Sequence, residues 1–261
     1  MPKETAQQIL PEHGIRVKEP IFRFNGKAGT ISVTDRGETK VQKVVLVNRE
    51  GMSRDDTSAK RTVSEKQRFR TMGAERALAQ TLLLENDCTE LPIKVYPISK
   101  ANGVKLKMTS PGEIRKWCGG LAVKFKQNVY AFVDPSYNEE YQRFTAAHEL
   151  GHAMLGHVGS WTHIRDDGTV RVVQRVSRPD IESEANAFAG ELLAPECVMV
   201  LCGAETAEEI AKLCWITSKD AAPIAERIRQ RRQSGQPFTP TEQQLVRRFA
   251  DYIRQHTTKE V

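Results

Sequence analysis

Hydrophobic residues recur at helical spacing between Pro135 and His157. One stripe of this segment holds, in chain order, Phe144, His148, His152 and Leu155. That pattern predicts an amphipathic helix whose stripe faces the protein interior. The run Ser136–Glu139 can form a capping box, so we expect the helix to begin there.

A second amphipathic helix is predicted between Ser177 and Pro195. Ser177 is a typical N-cap residue, and Pro195 is a typical stop after a helix. Two carboxylates lie within it in different registers. Glu182 is in register with Asn186 one turn later, whereas Glu184 lies on a neighbouring stripe. The two glutamates therefore project from different faces.

Several short runs alternate or cluster apolar residues in the manner of β-strands. They cover residues 30–34, 40–47, 104–108, 121–125 and 128–134. The first two read as a hairpin, and Trp161–Val176 reads as another with its turn at Asp167 and Gly168. Because Asn128–Val133 leads directly into the first helix, we expect it to be an edge strand that pairs with an extended substrate.

After Pro195 the chain is predicted to be helical. Separate helices are expected from Thr206 to Trp215, from Thr217 to Arg232 and from Phe238 to Tyr252. The middle one carries Arg227, Arg229, Arg231 and Arg232, which would suit DNA backbone contacts in a helix-turn-helix unit. A helical cap on the preceding domain is favoured, because Pro223 is expected to interrupt the supposed recognition helix.

Charge is unevenly distributed over the 261 residues, whose formal net charge is +6. Residues 1–70 hold 15 Lys and Arg against 9 Asp and Glu, and residues 220–261 hold 8 against 5. Such basic ends permit contact with nucleic acid or an acidic partner without requiring it.

The five cysteines, an odd number, form no Cys-x-x-Cys pair, which favours a reducing, cytoplasmic setting. The first residues lack an apolar signal core, and no apolar run approaches the roughly 18 residues that span a bilayer. No membrane association is therefore expected.

Residues 148–152 read His-Glu-Leu-Gly-His on the first predicted helix. Histidines four positions apart lie one turn above each other, so both can reach one metal ion. Glu149 would then act as general base toward a water on that ion, which is the zincin arrangement.

Catalytic zinc needs a third protein ligand. His157 misses the metzincin spacing by one residue and is expected to lie near the last carbonyls of the helix. Glu182 is favoured, because Asn186 could then hydrogen-bond a metal-bound histidine from behind. Glu184 remains the alternative. Tyr130 and His163 are candidates for contacts to the substrate or the oxyanion.

The string RFTAAHELGH at Arg143–His152, followed by ESEANAFAGELLAP at Glu182–Pro195, resembles the ImmA/IrrE family of metallopeptidases. The resemblance covers roughly residues 72–232. It implies a zinc ion bound by His148, His152 and Glu182, with Glu149 as the catalytic base. One departure is Ala194, where the family usually has methionine before proline; it affects packing rather than chemistry.

The sequence thus predicts an α+β protein with a zincin-like metallopeptidase domain, a small β-rich N-terminal extension and a helical C-terminal region. The expected boundaries are 1–70 for the basic extension with its hairpin and linker, 71–200 for the peptidase domain and 201–261 for the C-terminal helices.

The predicted function is zinc-dependent hydrolysis of a peptide bond in a protein substrate. The family resemblance implies a DNA-bound repressor of a phage, mobile element or stress response as substrate, encoded beside this chain. The alternative is a DNA-binding regulator or toxin–antitoxin partner that keeps a zincin scaffold without turnover.

Overall fold

The computed structural model describes residues 21–25, 30–34, 41–45, 73–114, 119–125, 127–158, 162–164, 170–172 and 179–257. Several sequence predictions lie outside these residues: the linker at 49–70, the hairpin turns at 35–38 and 167–168, and the cap at Ser177.

The N-terminal strands form an antiparallel sheet in the order β1-β2-β3. Its strands are β1 (Ile21–Asn25), β2 (Thr30–Thr34) and β3 (Val41–Val45). The predicted β2–β3 hairpin is confirmed, and β1 adds a third strand on the other side of β2. The sequences of these strands are rich in valine, isoleucine and threonine, residues with a high propensity for β-strands.

A second sheet has the order β4-β6-β5. Its strands are β4 (Val104–Met108), β5 (Gly120–Phe125) and β6 (Asn128–Val133). Strand β6 pairs in parallel with β4 and antiparallel with β5. The expectation that Asn128–Val133 forms an edge is therefore wrong. Residues 130–133 are all buried, as in a central strand covered on both faces.

The predicted hairpin between the two long helices is confirmed for its strands. Strands β7 (Thr162–Ile164) and β8 (Val170–Val172) pair antiparallel, with His163 opposite Arg171.

Helices make up most of the rest of the described chain, which confirms the α+β class. They are α1 (Ala74–Glu85), α2 (Val95–Ala101), α3 (Glu139–Met154), α4 (Pro179–Leu193), α5 (Glu196–Cys202), α6 (Ala207–Cys214), α7 (Ser218–Ser234), α8 (Pro240–Arg248) and α9 (Ala250–His256). Within the described ranges, no single helix is long and apolar enough to cross a membrane.

The helix ends follow their capping residues. The predicted box at the start of α6 is present, since Thr206 and Glu209 exchange side-chain and backbone hydrogen bonds. For α3 the prediction is wrong by two residues: Asn138, not Ser136, is the N-cap, and its side chain accepts from the backbone N–H of Tyr141. Asn and Ser both have a short side chain whose oxygen can accept this hydrogen bond, so either residue is a suitable N-cap.

Two expectations about the C-terminal helices are wrong. Helix α7 runs unbroken through Pro223, because proline in an early turn removes one hydrogen bond that packing elsewhere can compensate. The single helix expected from Phe238 to Tyr252 is two helices, α8 and α9, which meet at Phe249. Phe249 is fully buried at that break.

The central sheet separates two hydrophobic clusters. Its inner face, which includes Ala131 and Val133, packs with the helices around α3 and α4 in the main core. Its outer face, which includes Tyr130 and Phe132, forms a second cluster that β1 covers with Phe22 and Phe24. Successive residues of a strand point to opposite faces, which explains this division. Strand β1 is thus packed onto the sheet.

Charged side chains also lie buried or partly buried between the helices. We call this group the C-terminal charge cluster; its members are Arg76, Glu191, Glu196, Arg227, Arg231 and Glu242. Arg231 makes a double hydrogen bond to Glu242 at 2.6 and 2.8 Å. Glu196 lies 3.1 Å from the same guanidinium. The cluster joins α1, α4, α5, α7 and α8.

Candidate metal centre

Helix α3 presents two histidines one turn apart, as the sequence predicts. The Nε2 atoms of His148 and His152 lie 2.9 Å from each other. The side chain of His152 is fully buried, whereas that of His148 is 15 % exposed. The pair therefore has one ring anchored in the core and one ring at the surface.

Helix α4 brings Glu182 to the same place. Its Oε2 atom lies 3.2 Å from His148 Nε2 and 3.6 Å from His152 Nε2. The candidate ligand atoms of the three residues all lie within 4.8 Å of one another. We call these three residues the metal group. The structure thus brings together the three side chains that the sequence selected.

Small residues let α3 and α4 approach closely enough for this meeting. A Cβ atom added to Gly151 would lie 2.9 Å from Phe188 Cδ1 and 3.3 Å from the carbonyl oxygen of Ala185. Both distances are shorter than ordinary van der Waals contact. Glycine at position 151 therefore allows the helix crossing that places Glu182 beside the histidines.

Asn186 supports the first histidine, as the sequence predicts. Its Oδ1 atom lies 2.8 Å from His148 Nδ1. Because an amide oxygen only accepts, this contact requires the His148 tautomer with its proton on Nδ1, which leaves Nε2 to face the metal group.

His157 lies at the end of α3, as expected, and its backbone N–H donates to the carbonyl oxygen of His152 at 2.9 Å. Its ring has a further contact that the sequence did not predict: Nδ1 is 2.9 Å from His152 Nδ1. Its Nε2 is 2.9 Å from Glu184 Oε2. Glu184, the alternative third ligand, therefore lies behind His157 and is not part of the metal group. Sequence spacing could not show this contact, because it depends on how α4 crosses α3.

Glu149 lies beneath strand β5 and is only 3 % exposed. A Cβ atom added to Gly120 would lie 2.8 Å from Glu149 Cγ and 2.4 Å from Thr145 Cγ2. Only glycine fits this approach of the strand to the helix. The sequence reading missed Gly120, although a glycine pair opening a strand, Gly119 and Gly120, signals close approach of another element.

Tyr130 and His163 are the two residues predicted to contact substrate. Tyr130 is 1 % exposed and lies in the second cluster, where its ring is 4.7 Å from that of Phe22. That is the face of the sheet opposite α3, so the structure does not support a contact with substrate. His163 lies on β7, and its proposed contact stays a prediction.

Asp134 fixes the connection between β6 and α3. It is fully buried, and its Oδ1 accepts hydrogen bonds from the backbone N–H groups of Gly112 and Ser136 at 2.8 and 2.9 Å. Burial alone would raise the pKa of this carboxyl, but these N–H donors outweigh burial and hold the pKa below its usual value. The start of α3 is thereby tied to the loop after β4.

The donor set fits a divalent transition-metal ion. Two imidazole nitrogens and one carboxylate oxygen converge, and both histidines engage Nδ1 with another side chain while Nε2 points inward. At 2.9 Å, the lone pairs of two unprotonated Nε2 atoms would repel each other unless a cation or proton lay between them. Two histidines and one carboxylate, with a fourth coordination position left open, are typical of catalytic zinc sites.

Residues 124–213 match the family model of peptidase family M78, described as the IrrE N-terminal-like domain. This segment is similar to the metallopeptidase-like domain of that family. The resemblance to ImmA/IrrE metallopeptidases is confirmed, and the matched range contains every residue of the metal group together with Glu149. Comparison with curated proteins found no match for the chain.

Helix α7 lies beyond the matched M78 segment, and its arginines are held by carboxylates of the chain itself. Arg231 pairs with Glu242 and Glu196, and Arg227 lies 3.5 Å from Glu196. The other two follow the same pattern: Arg229 pairs with Glu226, and Arg232 with Glu205. These ion pairs compete with any contact to a DNA backbone, so they favour the helical cap over a recognition helix.

Proposed function

We propose that the chain is a zinc-dependent endopeptidase of zincin-like fold that hydrolyses a peptide bond in a protein substrate. The observation that carries this proposal is the convergence of His148, His152 and Glu182 within 4.8 Å, next to the buried carboxylate Glu149. The M78 family match supports the same chemistry.

Zinc is the ion we propose, because two histidines and one carboxylate are a common catalytic zinc set. When bound, zinc lowers the pKa of a coordinated water and polarises the substrate carbonyl. His148, His152 and Glu182 would hold it.

Glu149 supplies the proton transfers. Its carboxylate takes a proton from the attacking water while the new bond forms between the water oxygen and the carbonyl carbon. It then delivers that proton to the nitrogen as the carbon–nitrogen bond breaks. Burial beneath β5 limits competing water around this carboxylate. Each proton that Glu149 accepts is thus returned to the departing amine.

We place the substrate beside β5 rather than β6. Strand β6 is central in its sheet, whereas β5 ends the strand order and begins at Gly120, next to Glu149. An extended peptide that adds to this side of the sheet would cross the metal group on α3 and α4.

A DNA-bound repressor encoded beside the chain is the substrate we propose, in a phage, mobile element or stress response. The family resemblance alone supports this choice. The exposed arginines of α7, Arg229 and Arg232, pair with Glu226 and Glu205, so a DNA contact there would have to replace these ion pairs.

The decisive variant is Glu149→Gln. Removing the base should reduce hydrolysis of the co-encoded repressor by about 10²–10⁴-fold, while zinc stays bound because no ligand has changed. Cleavage is followed by gel and mass spectrometry, and zinc by elemental analysis of the same sample. Glu139→Gln, an exposed change in the first turn of the same helix, is the control. Wild-type turnover by Glu149→Gln would refute the assignment.

A further inference from the structure

Behind the metal group, three side chains form a continuous chain of short contacts. His152 Nδ1 lies 2.9 Å from His157 Nδ1, and His157 Nε2 lies 2.9 Å from Glu184 Oε2. The first residue is a proposed ligand; the other two are not. We call His157 and Glu184 the relay.

The donor and acceptor roles in this chain follow from one requirement. His152 can bind a metal through Nε2 only if that atom carries no proton, so the proton of its neutral ring is on Nδ1. His157 Nδ1 must then accept, which places the proton of His157 on Nε2. That N–H points at Glu184, and an ionised carboxylate can only accept. Every atom therefore has one compatible role.

Burial makes this ordering energetically significant. The side chains of His152 and His157 are 0 % and 8 % exposed, whereas that of Glu184 is 34 % exposed. Little water can replace a lost partner at the two rings, so a missing hydrogen bond there would leave a buried polar atom unsatisfied. The carboxylate that ends the chain can stay charged near the surface.

The two proposed histidine ligands are supported unequally. His148 is held by the neutral amide of Asn186 and is partly exposed. His152 is held by an imidazole that is itself held by a carboxylate. A charged acceptor strengthens hydrogen bonds along such a chain and increases the basicity of the ligand nitrogen.

The geometry points to His157 and Glu184 as positioning residues that fix the tautomer and ring orientation of His152 and thereby increase the affinity for zinc. This inference rests on the proposed function, because it assigns a role to residues that support the same metal group.

Zinc affinity of the full chain, measured by competition with a chromogenic chelator, tests the relay. Glu184→Ala and His157→Ala should each weaken zinc binding by about 10–100-fold, the usual effect of removing a group that supports a ligand. Glu184→Gln should lose less, because its amide oxygen can still accept from His157 Nε2. Glu208→Gln, at an exposed position on α6, is the control and should match wild type. Wild-type affinity in both alanine variants would overturn the inference.

Nitrogen-15 NMR of the zinc-loaded protein reads the tautomer directly, which a purely structural role would not change. We expect His157 to be protonated at Nε2 and bare at Nδ1, with its signals altered in Glu184→Ala and largely restored in Glu184→Gln. A proton on His157 Nδ1 would overturn the inference. If the wild type binds zinc and cleaves substrate while the relay variants behave like it, only the relay fails. If the wild type neither binds zinc nor cleaves, the proposed function and the relay fail together.

Discussion

The metal group and the C-terminal charge cluster both hold ionisable side chains between packed helices, yet they are completed differently. In the cluster, carboxylates meet guanidinium groups, as in the double hydrogen bond from Arg231 to Glu242. In the metal group, the carboxylate of Glu182 meets two imidazole nitrogens that also face each other. Opposite charges balance within the first arrangement. The second gathers electron-pair donors, and a bound cation would complete it.

This difference separates an expected stabilising role from the proposed catalytic one. An arginine paired with buried carboxylates offers no open position to a ligand, so the cluster is expected to contribute to folding. Converging donors with one open side can bind an ion and a substrate. Variants in the two regions should therefore affect different measurements.

The largest expected effect is loss of zinc in Glu182→Ala. Removing one of three protein ligands should cost more than the about 10–100-fold associated with a supporting group, so the purified variant should contain little zinc. Elemental analysis after dialysis against buffered zinc measures this. Glu184→Ala, two positions along the same helix, should keep most of its zinc under these conditions. Equal zinc in the two variants would contradict the ligand assignment.

The next effect is on stability, in Glu242→Gln. Breaking its charged pair leaves Arg231, which is 7 % exposed, without its main counter-charge. Removing one partner of a buried pair costs about 3–5 kcal/mol, so urea unfolding should occur at a clearly lower midpoint. Zinc content per folded molecule should not change. A variant that unfolds like wild type would show that the cluster is not the stabilising region.

The same variant has an expected pH dependence. Burial would raise the pKa of Glu242, but the hydrogen bonds from Arg231 and the backbone of Thr239 outweigh it and lower that pKa. A carboxyl whose pKa is lower in the folded state contributes stability above its unfolded pKa, and this contribution is lost as pH falls through the folded value. The difference in unfolding free energy between wild type and Glu242→Gln should therefore be largest near neutrality and shrink in acid. A difference that grows in acid would contradict the assigned direction.

The smallest effects are expected at two helical glycines. Gly151→Ala would press a methyl group against Phe188 and the backbone of Ala185, at a cost of about 1–3 kcal/mol for overpacking, and should weaken zinc binding by separating α3 from α4. Gly190→Ala is the matched control, since the nearest atom to its new Cβ is 3.5 Å away. It should be neutral or stabilise by about 0.5–1 kcal/mol. Calorimetry and zinc titration of both variants test this, and equal behaviour would argue against a close crossing at residue 151.

Local patterns predicted the two helices that carry the candidate ligands. His148 and His152 follow from helical spacing, because a helix fixes which side chains share a face over one or two turns. Glu182 was favoured over Glu184 by its register with Asn186 and by the family resemblance. The support of His148 by Asn186 follows from the same periodicity. The proposed catalytic roles of these residues stay predictions.

Long-range arrangement accounts for what the sequence did not show. The position of β6 inside its sheet depends on pairing with β4, a strand about twenty residues earlier. That pairing, and the face it assigns to Tyr130, leaves no periodic signal in the strand itself. The contact of His157 with Glu184 depends on the crossing of α3 and α4. Such features depend on tertiary packing, which local patterns do not encode.

The two-sided packing of the central sheet has a practical consequence for dissecting the molecule. The matched range 124–213 ends before Phe249 and begins after Leu83, and both of these side chains fill the main core. On the opposite side it omits Phe22, which covers Tyr130. A fragment limited to that range would expose hydrophobic surface on both sides and should aggregate when expressed alone. Biochemical work on this protein accordingly calls for the flanking helices and the first strands to be kept.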